Sequence, residues 1–273
     1  MSSVKRVLFY YKELGIKYTL RFILSKYYTR KLKDYKKYID LFKGKSGLEI
    51  GGPSIYFNED NVLPLYPVLE GLDGVNFSTN TIWEGSLSEG QTFRYNNSQK
   101  SGQQYICDAV NLSIISSKKY DFVISCNNLE HIANPLRAIN EWLQIIKTNG
   151  LVLLVLPNKQ INFDHRRTVT SFEHLLNDYN TQVGEDDMTH IDEIMNAHDI
   201  FLDPLAGNLI AFRERALQNY ENRALHHHVF DIPLLIQIYE FFNIKIISFE
   251  STFTDHYILG KKNFRLNEMH SKS

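Results

Sequence analysis

The sequence has few cysteines and no long apolar run. Its 273 residues include two cysteines, Cys107 and Cys126, too few for a disulfide framework or a cysteine-based zinc site. The longest apolar run, Leu151 to Leu156, is far shorter than the roughly 20 residues that span a bilayer. The N-terminus lacks the uninterrupted apolar stretch of a secretory signal peptide. We therefore expect a soluble, cytoplasmic protein.

The charges are unevenly distributed, although the net charge is only −1. Such a balance gives no general reason to expect a nucleic-acid-binding protein, and no further motif supports one. Residues 1–45 carry 13 Lys and Arg against three acidic residues, with aromatic and apolar residues near helical spacing. Two interpretations remain open. This segment is a pair of amphipathic helices at an anionic membrane face or substrate, or its helices pack on the core and expose a basic face.

Strand and helix patterns alternate in the middle of the chain. Gly47–Ile50 and Tyr120–Ser125 are short apolar stretches typical of strands. Pro135–Ile146 has helical periodicity, and Asn149-Gly150 is expected to end that helix. Leu151–Leu156 is apolar on both faces, which predicts a central parallel strand. This succession predicts a βαβ unit of a doubly wound sheet.

These patterns divide the chain into five segments. Near the C-terminus, Ile232–Phe242 is expected to be helical, and Ile244–Phe249 and His256–Gly260 to be strands. The segments are a basic aromatic helical region (1–45), a sheet core (46–157), a histidine-rich insertion (158–228), a closing helix with two strands (229–262) and a flexible polar tail (263–273).

Small and polar residues follow the predicted strands. The turn Gly51-Gly52-Pro53-Ser54 follows the first strand, and Glu49 precedes the turn. In a doubly wound sheet, ligands bind beyond the carboxyl ends of the strands. The turn lacks the third glycine of a dinucleotide fingerprint, which favours a smaller ligand without a phosphate. An ordinary strand-to-loop turn would also explain this pattern.

The core resembles the class I S-adenosylmethionine-dependent methyltransferases. Leu48-Glu49-Ile50-Gly51-Gly52 resembles their first glycine motif, and Asp108-Ala109 resembles their adenine-binding segment. Tyr120–Ser125, Leu129-Glu130-His131 and residues 136–156 resemble the strand, helix and strand that follow. The resemblance implies an α/β fold with a doubly wound, mostly parallel, seven-stranded Rossmann-like sheet. It also implies a C-terminal antiparallel strand, an N-terminal helical segment and a helical or loop insertion after the fifth strand.

The same resemblance implies S-adenosyl-L-methionine as cofactor and assigns its contacts. Glu49, Gly51 and Gly52 would hold the methionine portion. Asp108 would reach the adenine amino group, and Ala109 would line the adenine slot. Ser125 and Asn127 would lie beneath the sulfonium. The implied cofactor residues are Glu49, Gly51, Gly52, Pro53, Ser54, Asn76, Asp108, Ala109, Ser125 and Asn127.

One position departs from the family pattern. The family usually has an acidic residue at the end of its second strand, where it binds the ribose hydroxyls. Here Asn76 falls at that place, and Asp73 and Glu70 are the alternatives. An amide binds a hydroxyl more weakly than a carboxylate does.

The insertion is rich in histidines and carboxylates. It holds seven of the ten histidines. Histidines and carboxylates over the ligand end of the sheet would suit the binding of a polar substrate. Its pattern resembles methyltransferases encoded with bacterial surface-polysaccharide genes, including O-antigen and capsule genes. The stretches that carry this resemblance are Phe163–Arg167, His174–Tyr179, Asp187–Glu193 and Leu225–Asp231. The resemblance implies O-methylation of a sugar hydroxyl on a nucleotide sugar or lipid-linked glycan, and the basic N-terminus would suit contact with the inner face of a membrane.

A hydroxyl acceptor requires a general base, and histidine is the residue type that we expect. His131 is the first candidate, unless it only caps the next helix and lines the core. His165 and His190 are the next candidates, unless they are polar residues on a surface lid. The candidate substrate-binding residues are Arg166, Arg167, His226 and His228; the arginines would clamp an anionic group or form surface ion pairs.

Other chemistries remain open. His190, Glu193 and His198 could hold a divalent metal that lowers the pKa of a sugar hydroxyl. The chain could also bind cofactor without turnover, or methylate nucleic acid or another small molecule. The motif Asn/Asp-Pro-Pro-Tyr/Phe of familiar base methyltransferases is missing after the fourth strand. The sequence leaves the oligomeric state undetermined.

Overall fold

The computed structural model describes residues 7–8, 10–12, 15–27, 30–117 and 119–263. Its central sheet consists of the strands β1 (Ser46–Ile50), β2 (Gly71–Asn76), β5 (Gly90–Tyr95), β6 (Lys100–Ile106), β7 (Tyr120–Cys126), β8 (Ile146–Pro157), β9 (Ile244–Ser251) and β10 (Asp255–Lys262). These eight strands lie in the order β5-β6-β2-β1-β7-β8-β10-β9. A separate two-stranded ribbon consists of β3 (Asn80–Thr81) and β4 (Gly85–Ser86). Most of the predicted tail, residues 264–273, lies outside the described residues.

The predicted sheet architecture is confirmed, with one more strand than expected. Strands β6, β2, β1, β7 and β8 pair in parallel, whereas β10 runs antiparallel to β8 and β9. The additional strand is β5, which forms an antiparallel hairpin with β6 at the sheet edge. The prediction of seven strands missed it because β5 is largely exposed and lacks the apolar character of the central strands.

Helices cover both faces of the sheet. The described helices are α1 (Ile16–Tyr27), α2 (Tyr35–Phe42), α3 (Pro135–Ile145), α4 (Phe172–Thr181), α5 (Ile191–Ala197), α6 (Leu209–Leu217), α7 (Asn219–Asn222) and α8 (Ile232–Phe241). On one face, α3 and α8 bury Trp142 and Ile238 in the larger apolar core. On the other face, α2 buries Tyr38 and Phe42, and the Phe42 ring meets Phe122 of β7 edge-on at 4.8 Å.

The end of α3 differs from the prediction. Asn149-Gly150 was expected to stop the helix, but α3 ends at Ile145 and β8 begins at Ile146. Ile146 already pairs with Tyr120 of β7, so sheet pairing ends the helix first. Asn149, with φ of +63°, instead lies at an irregularity within β8.

The N-terminal segment packs on the protein through α2, as one of the two interpretations proposed. Phe22 of α1 packs with Tyr10 and with Leu202 of the insertion. Leu20 and Leu24 of α1 remain 53% and 55% exposed, and a membrane contact through them stays a prediction. No helix in the described ranges is long and apolar enough to cross a bilayer.

The insertion after β8 carries α4 to α7 and a small core of its own. Ile194, Phe212, Ala216 and Leu225 form this core. The chain then returns through residues 226–228, and His228 N donates to Glu130 O at 3.4 Å. The insertion therefore lies against the loop that follows β7, at the carboxyl edge of the sheet.

Candidate active site

A cavity of about 330 Å³ opens where β1, β2, β6 and β7 end. A volume of this size is typical of small-molecule sites. Eight of the ten residues that the sequence resemblance assigns to a cofactor line it. These are Gly51, Gly52, Pro53, Ser54, Asn76, Asp108, Ala109 and Asn127. The structure thus brings together side chains from four strand ends, as the doubly wound topology requires.

The turn after β1 lets the backbone form the floor of this cavity. Gly51 and Gly52 have φ of +77° and +81°, a conformation that favours glycine. A Cβ atom on Gly52 would lie 2.6 Å from Glu49 Oε1. Both the backbone conformation and the lack of space therefore require glycine at position 52.

Glu49 supports the turn from behind and does not line the cavity. Its carboxylate is fully buried and accepts hydrogen bonds from Tyr66 Oη at 2.7 Å and Ser54 N at 3.0 Å. Ser125, also expected at the cofactor, is buried and likewise outside the cavity lining. Glu49 therefore supports the shape of the glycine turn, and Ser125 belongs to the packed end of β7.

Burial raises the pKa of Glu49 to about 8, against hydrogen bonds from Tyr66 and Ser54 that lower it. The folded state therefore holds the Glu49 proton more tightly than the unfolded state does. The stability that this protonated side chain contributes is complete below pH 4.5, the ordinary pKa, and is lost as the pH rises through about 8. We expect the free energy of unfolding of the wild type to fall in this window by up to about 1.4 kcal/mol per pH unit.

The variant Glu49→Gln cannot titrate, so its unfolding free energy should change less over the same window. Urea unfolding at several pH values measures both slopes. Glu59→Gln, which removes an exposed carboxylate, is the matched control and should follow the wild type. Parallel curves for the wild type and Glu49→Gln would contradict the assignment.

Asn76 is the last residue of β2 and faces the cavity. Its Nδ2 donates to Gly52 O at 3.2 Å, which links β2 to the glycine turn. The alternatives lie elsewhere: Asp73 accepts from Tyr120 Oη at 2.8 Å, and Glu70 is exposed just before β2. Asn76 is therefore the best placed of the three for a ribose, and that contact stays a prediction.

Arg223 is a cavity residue that sequence reasoning missed. It comes from the insertion, yet its guanidinium lies 3.0 Å from Asp108 Oδ2 and 2.6 Å from Glu185 Oε2. It also lies 5.4 Å from the centre of the Phe77 ring. An ion pair 115 residues apart in sequence leaves no local signal, so only the fold reveals it.

A second cavity of about 320 Å³ adjoins the first and shares Trp83, Asn127 and His131 with it. The insertion supplies much of its lining. Its polar lining includes Glu130, Asn162, Asp203, Arg215 and His226. Two cavities with a common wall can hold two reactants side by side.

His226 and Asp164 form a buried pair at the second cavity. His226 Nδ1 lies 2.5 Å from Asp164 Oδ2, and Arg167 Nη1 donates to the other carboxylate oxygen at 3.1 Å. Although burial opposes ionisation, His226 and Arg167 lower the pKa of Asp164 to about 2. Burial alone would lower the pKa of His226, but Asp164 raises it above its usual value.

His131 lines both cavities, and its pKa is shifted in the opposite direction to that of His226. Burial and then His226 lower the pKa of His131 well below 6.5. Its Nδ1 lies 3.0 Å from Leu225 O. Since a carbonyl only accepts, Nδ1 carries the proton and Nε2 the lone pair. His131 is therefore neutral and a weaker base than His226.

The other predicted base and substrate residues lie outside both cavity linings. His165 and Arg166 both contact Asp199 Oδ2, at 3.0 and 3.1 Å. Arg167 is buried and binds Asp164 and Glu193, so it braces the insertion and offers no free clamp for a substrate. His190 and His228 belong to a separate cluster of histidines.

The predicted metal set is not assembled. His190 Nδ1 lies 3.7 Å from Glu193 Oε2, as helical spacing implied. His198 instead pairs with Asp203 at 3.1 Å and stacks on Phe212 at 4.1 Å. Among the described residues, His190, Glu193 and His198 do not form one of the clusters whose ligand atoms converge.

One comparison with known proteins identifies a family. A family model described as "Methyltransferase domain" matches residues 24–200. No curated protein matches the chain.

Among solved structures, the N-methyltransferase NodS from Bradyrhizobium japonicum WM9 is 10% identical, with a TM-score of 0.43, over 84% of this chain and 94% of that one. The N-terminal domain of EvdMO1 with SAH and D-fucose is 11% identical, with a TM-score of 0.41, over 84% and 81%. A SAM-dependent methyltransferase from Aquifex aeolicus is 11% identical, with a TM-score of 0.43, over 84% and 89%. Likenesses this weak say nothing about the substrate of this chain.

Proposed function

Since this chain belongs to the methyltransferase-domain family, we propose that it O-methylates a sugar hydroxyl with His226 as general base. S-adenosylmethionine is the methyl donor. The acceptor would be a nucleotide sugar or a lipid-linked glycan precursor of a surface polysaccharide. The observation that carries the proposal is the Asp164–His226 pair, whose histidine lines the second cavity, which shares a wall with the cofactor cavity.

The residues of the first cavity fit the cofactor. Asn127 Oδ1 and Asn128 Oδ1 are buried there and accept no hydrogen bond from the described residues, so they suit the donors of an amino acid portion. Asn76 would serve the ribose, and Ala109 would line the adenine slot. When bound, the sulfonium supplies an activated methyl group.

The second cavity suits a hydroxylated acceptor. Asn162, Asp203 and Arg215 offer hydrogen-bond partners to sugar hydroxyls, and Trp83 and Phe163 offer flat apolar surfaces to a sugar ring. A carbon acceptor would need an activated enol, and an amine would need less help from a base. The buried His–Asp pair is therefore most useful for a hydroxyl.

His226 would act from Nε2, because Nδ1 faces Asp164. Asp164 remains ionised at neutral pH and stabilises the imidazolium that forms when Nε2 takes the hydroxyl proton. The oxygen–carbon bond forms as the carbon–sulfur bond breaks, and S-adenosylhomocysteine leaves. The proton then passes from His226 to solvent.

Two measurements test this function. Calorimetric titration should give micromolar binding of S-adenosylmethionine and S-adenosylhomocysteine. Methyl transfer from labelled cofactor should then occur to a hydroxyl in a panel of nucleotide sugars and lipid-linked glycans. Binding without transfer to any acceptor would favour the non-catalytic alternative, and transfer only to RNA, DNA or amines would contradict the sugar proposal.

A further inference from the structure

Four side chains from three parts of the insertion meet away from both cavities. His174 and Asp178 stand one turn apart on α4, His190 precedes α5, and His228 lies in the returning chain. One nitrogen of each ring and one carboxylate oxygen all lie within 4.8 Å of one another. The regular packing of these three segments does not by itself require histidine side chains where they meet.

Hydrogen bonding within the cluster leaves polar atoms unsatisfied. His174 Nε2 lies 3.1 Å from His190 Nε2 and 3.2 Å from Asp178 Oδ2. One ring nitrogen carries at most one proton, so it satisfies at most one of these neighbours. Asp178 is buried, and its Oδ2 accepts no hydrogen bond of suitable geometry from the described residues. A buried carboxylate oxygen that accepts no well-formed hydrogen bond is costly, so it points to a missing cation.

Two of the histidines also contact groups outside the cluster. Metal-binding histidines usually direct their second nitrogen to a carbonyl or a carboxylate. His228 Nε2 lies 3.1 Å from Ala133 O and 3.6 Å from Asp178 Oδ2, and the carbonyl can only accept. The Nδ1 lone pair of His228 is therefore available, and it has no partner among the described residues. His190 Nδ1 lies 3.7 Å from Glu193 Oε2, and Arg167 holds the other oxygen of that carboxylate at 3.1 Å.

We propose that His174, Asp178, His190 and His228 bind one Zn²⁺ ion. Three imidazoles and one carboxylate are ligands that zinc prefers, and four protein ligands are typical of a closed structural site. His174 is 38% exposed at its side chain, which gives the ion a path from solvent. The metal would fix α4 and the start of α5 to the returning chain, two residues from His226. The site does not depend on the nature of the methyl acceptor.

Zinc binding can be measured without an activity assay. Protein purified without a histidine tag and treated with a chelator is titrated with Zn²⁺ against a chromophoric competitor. We expect one equivalent to bind with submicromolar Kd and to raise Tm. Co²⁺ should give the intense visible absorption of a tetrahedral site. Failure of the wild-type protein to bind one equivalent of Zn²⁺ would overturn the proposal without any variant.

Variants then locate the site. His174→Ala and Asp178→Asn should each weaken Zn²⁺ binding at least about 100-fold and abolish the rise in Tm. His256→Gln is the matched control, since His256 is a buried histidine that contacts Ser251 Oγ at 2.7 Å, and it should bind Zn²⁺ like the wild type. A second group, Glu130, His131 and His226, also lies within 4.8 Å. Loss of Zn²⁺ binding in Glu130→Gln but not in Asp178→Asn would assign the ion there and overturn the proposal.

Discussion

His226→Gln should lower kcat by about 10²- to 10⁴-fold, the range that general-base catalysis contributes. Glutamine keeps a polar group of similar length beside Asp164 but cannot take the proton of the acceptor hydroxyl. Cofactor affinity should stay close to that of the wild type, because His226 does not line the first cavity. Single-turnover methyl transfer and calorimetric titration with S-adenosylhomocysteine measure the two quantities separately.

Two further variants sharpen this prediction. His131→Gln should cost less than His226→Gln, because burial leaves His131 a weak base. His256→Gln removes a histidine outside both cavities and should leave kcat unchanged. If His131→Gln lost 100-fold or more in kcat while His226→Gln kept full activity, His131 would be the base and our assignment would be wrong.

The sheet and the glycine turn could be predicted because their signals are local. The apolar stretch at residues 151–156, the helix before it and the glycine turn at residues 51–52 each have a short sequence pattern. The stretch forms a strand and the turn lines the first cavity as expected, whereas the helix begins as expected and ends early. Strand β5 was missed, although the left-handed residues Asn96, Asn97 and Ser98 mark its hairpin turn. Asparagine is enriched in that conformation, so the Asn-Asn pair was a usable turn signal.

The second cavity could not be predicted because its contacts are distant in sequence. Asp164 and His226 are 62 residues apart, and no spacing rule joins them. The sequence showed a histidine-rich insertion but not how its histidines are distributed. In the fold, His226 pairs with Asp164 at the second cavity, and His174, His190 and His228 form a cluster with Asp178. Others, such as His165 beside Asp199, contact a carboxylate outside these groups. Burial and packing determine which histidines come together, and this cannot be predicted from amino-acid composition.

Gly52→Ala should weaken the binding of S-adenosylhomocysteine at least about 100-fold. Its Cβ would lie 2.6 Å from both Cδ and Oε1 of Glu49 and 3.0 Å from Ser54 N. Because Glu49 is fully buried and hydrogen-bonded, it cannot move away cheaply, so the turn must shift into the cavity. A loss of 100-fold corresponds to about 2.8 kcal/mol, which is within reach of such a clash combined with a left-handed alanine.

Gly44→Ala separates these two effects. Gly44 has φ of +68°, but its Cβ would meet no described atom within 4 Å, so this variant carries the backbone strain without the clash. We expect Gly44→Ala to lose some thermal stability and to bind S-adenosylhomocysteine like the wild type. Calorimetric titration and thermal unfolding of both variants measure the difference. If a folded Gly52→Ala bound S-adenosylhomocysteine as tightly as Gly44→Ala, the cofactor could not lie against the turn after β1, and the assignment of the first cavity would fail.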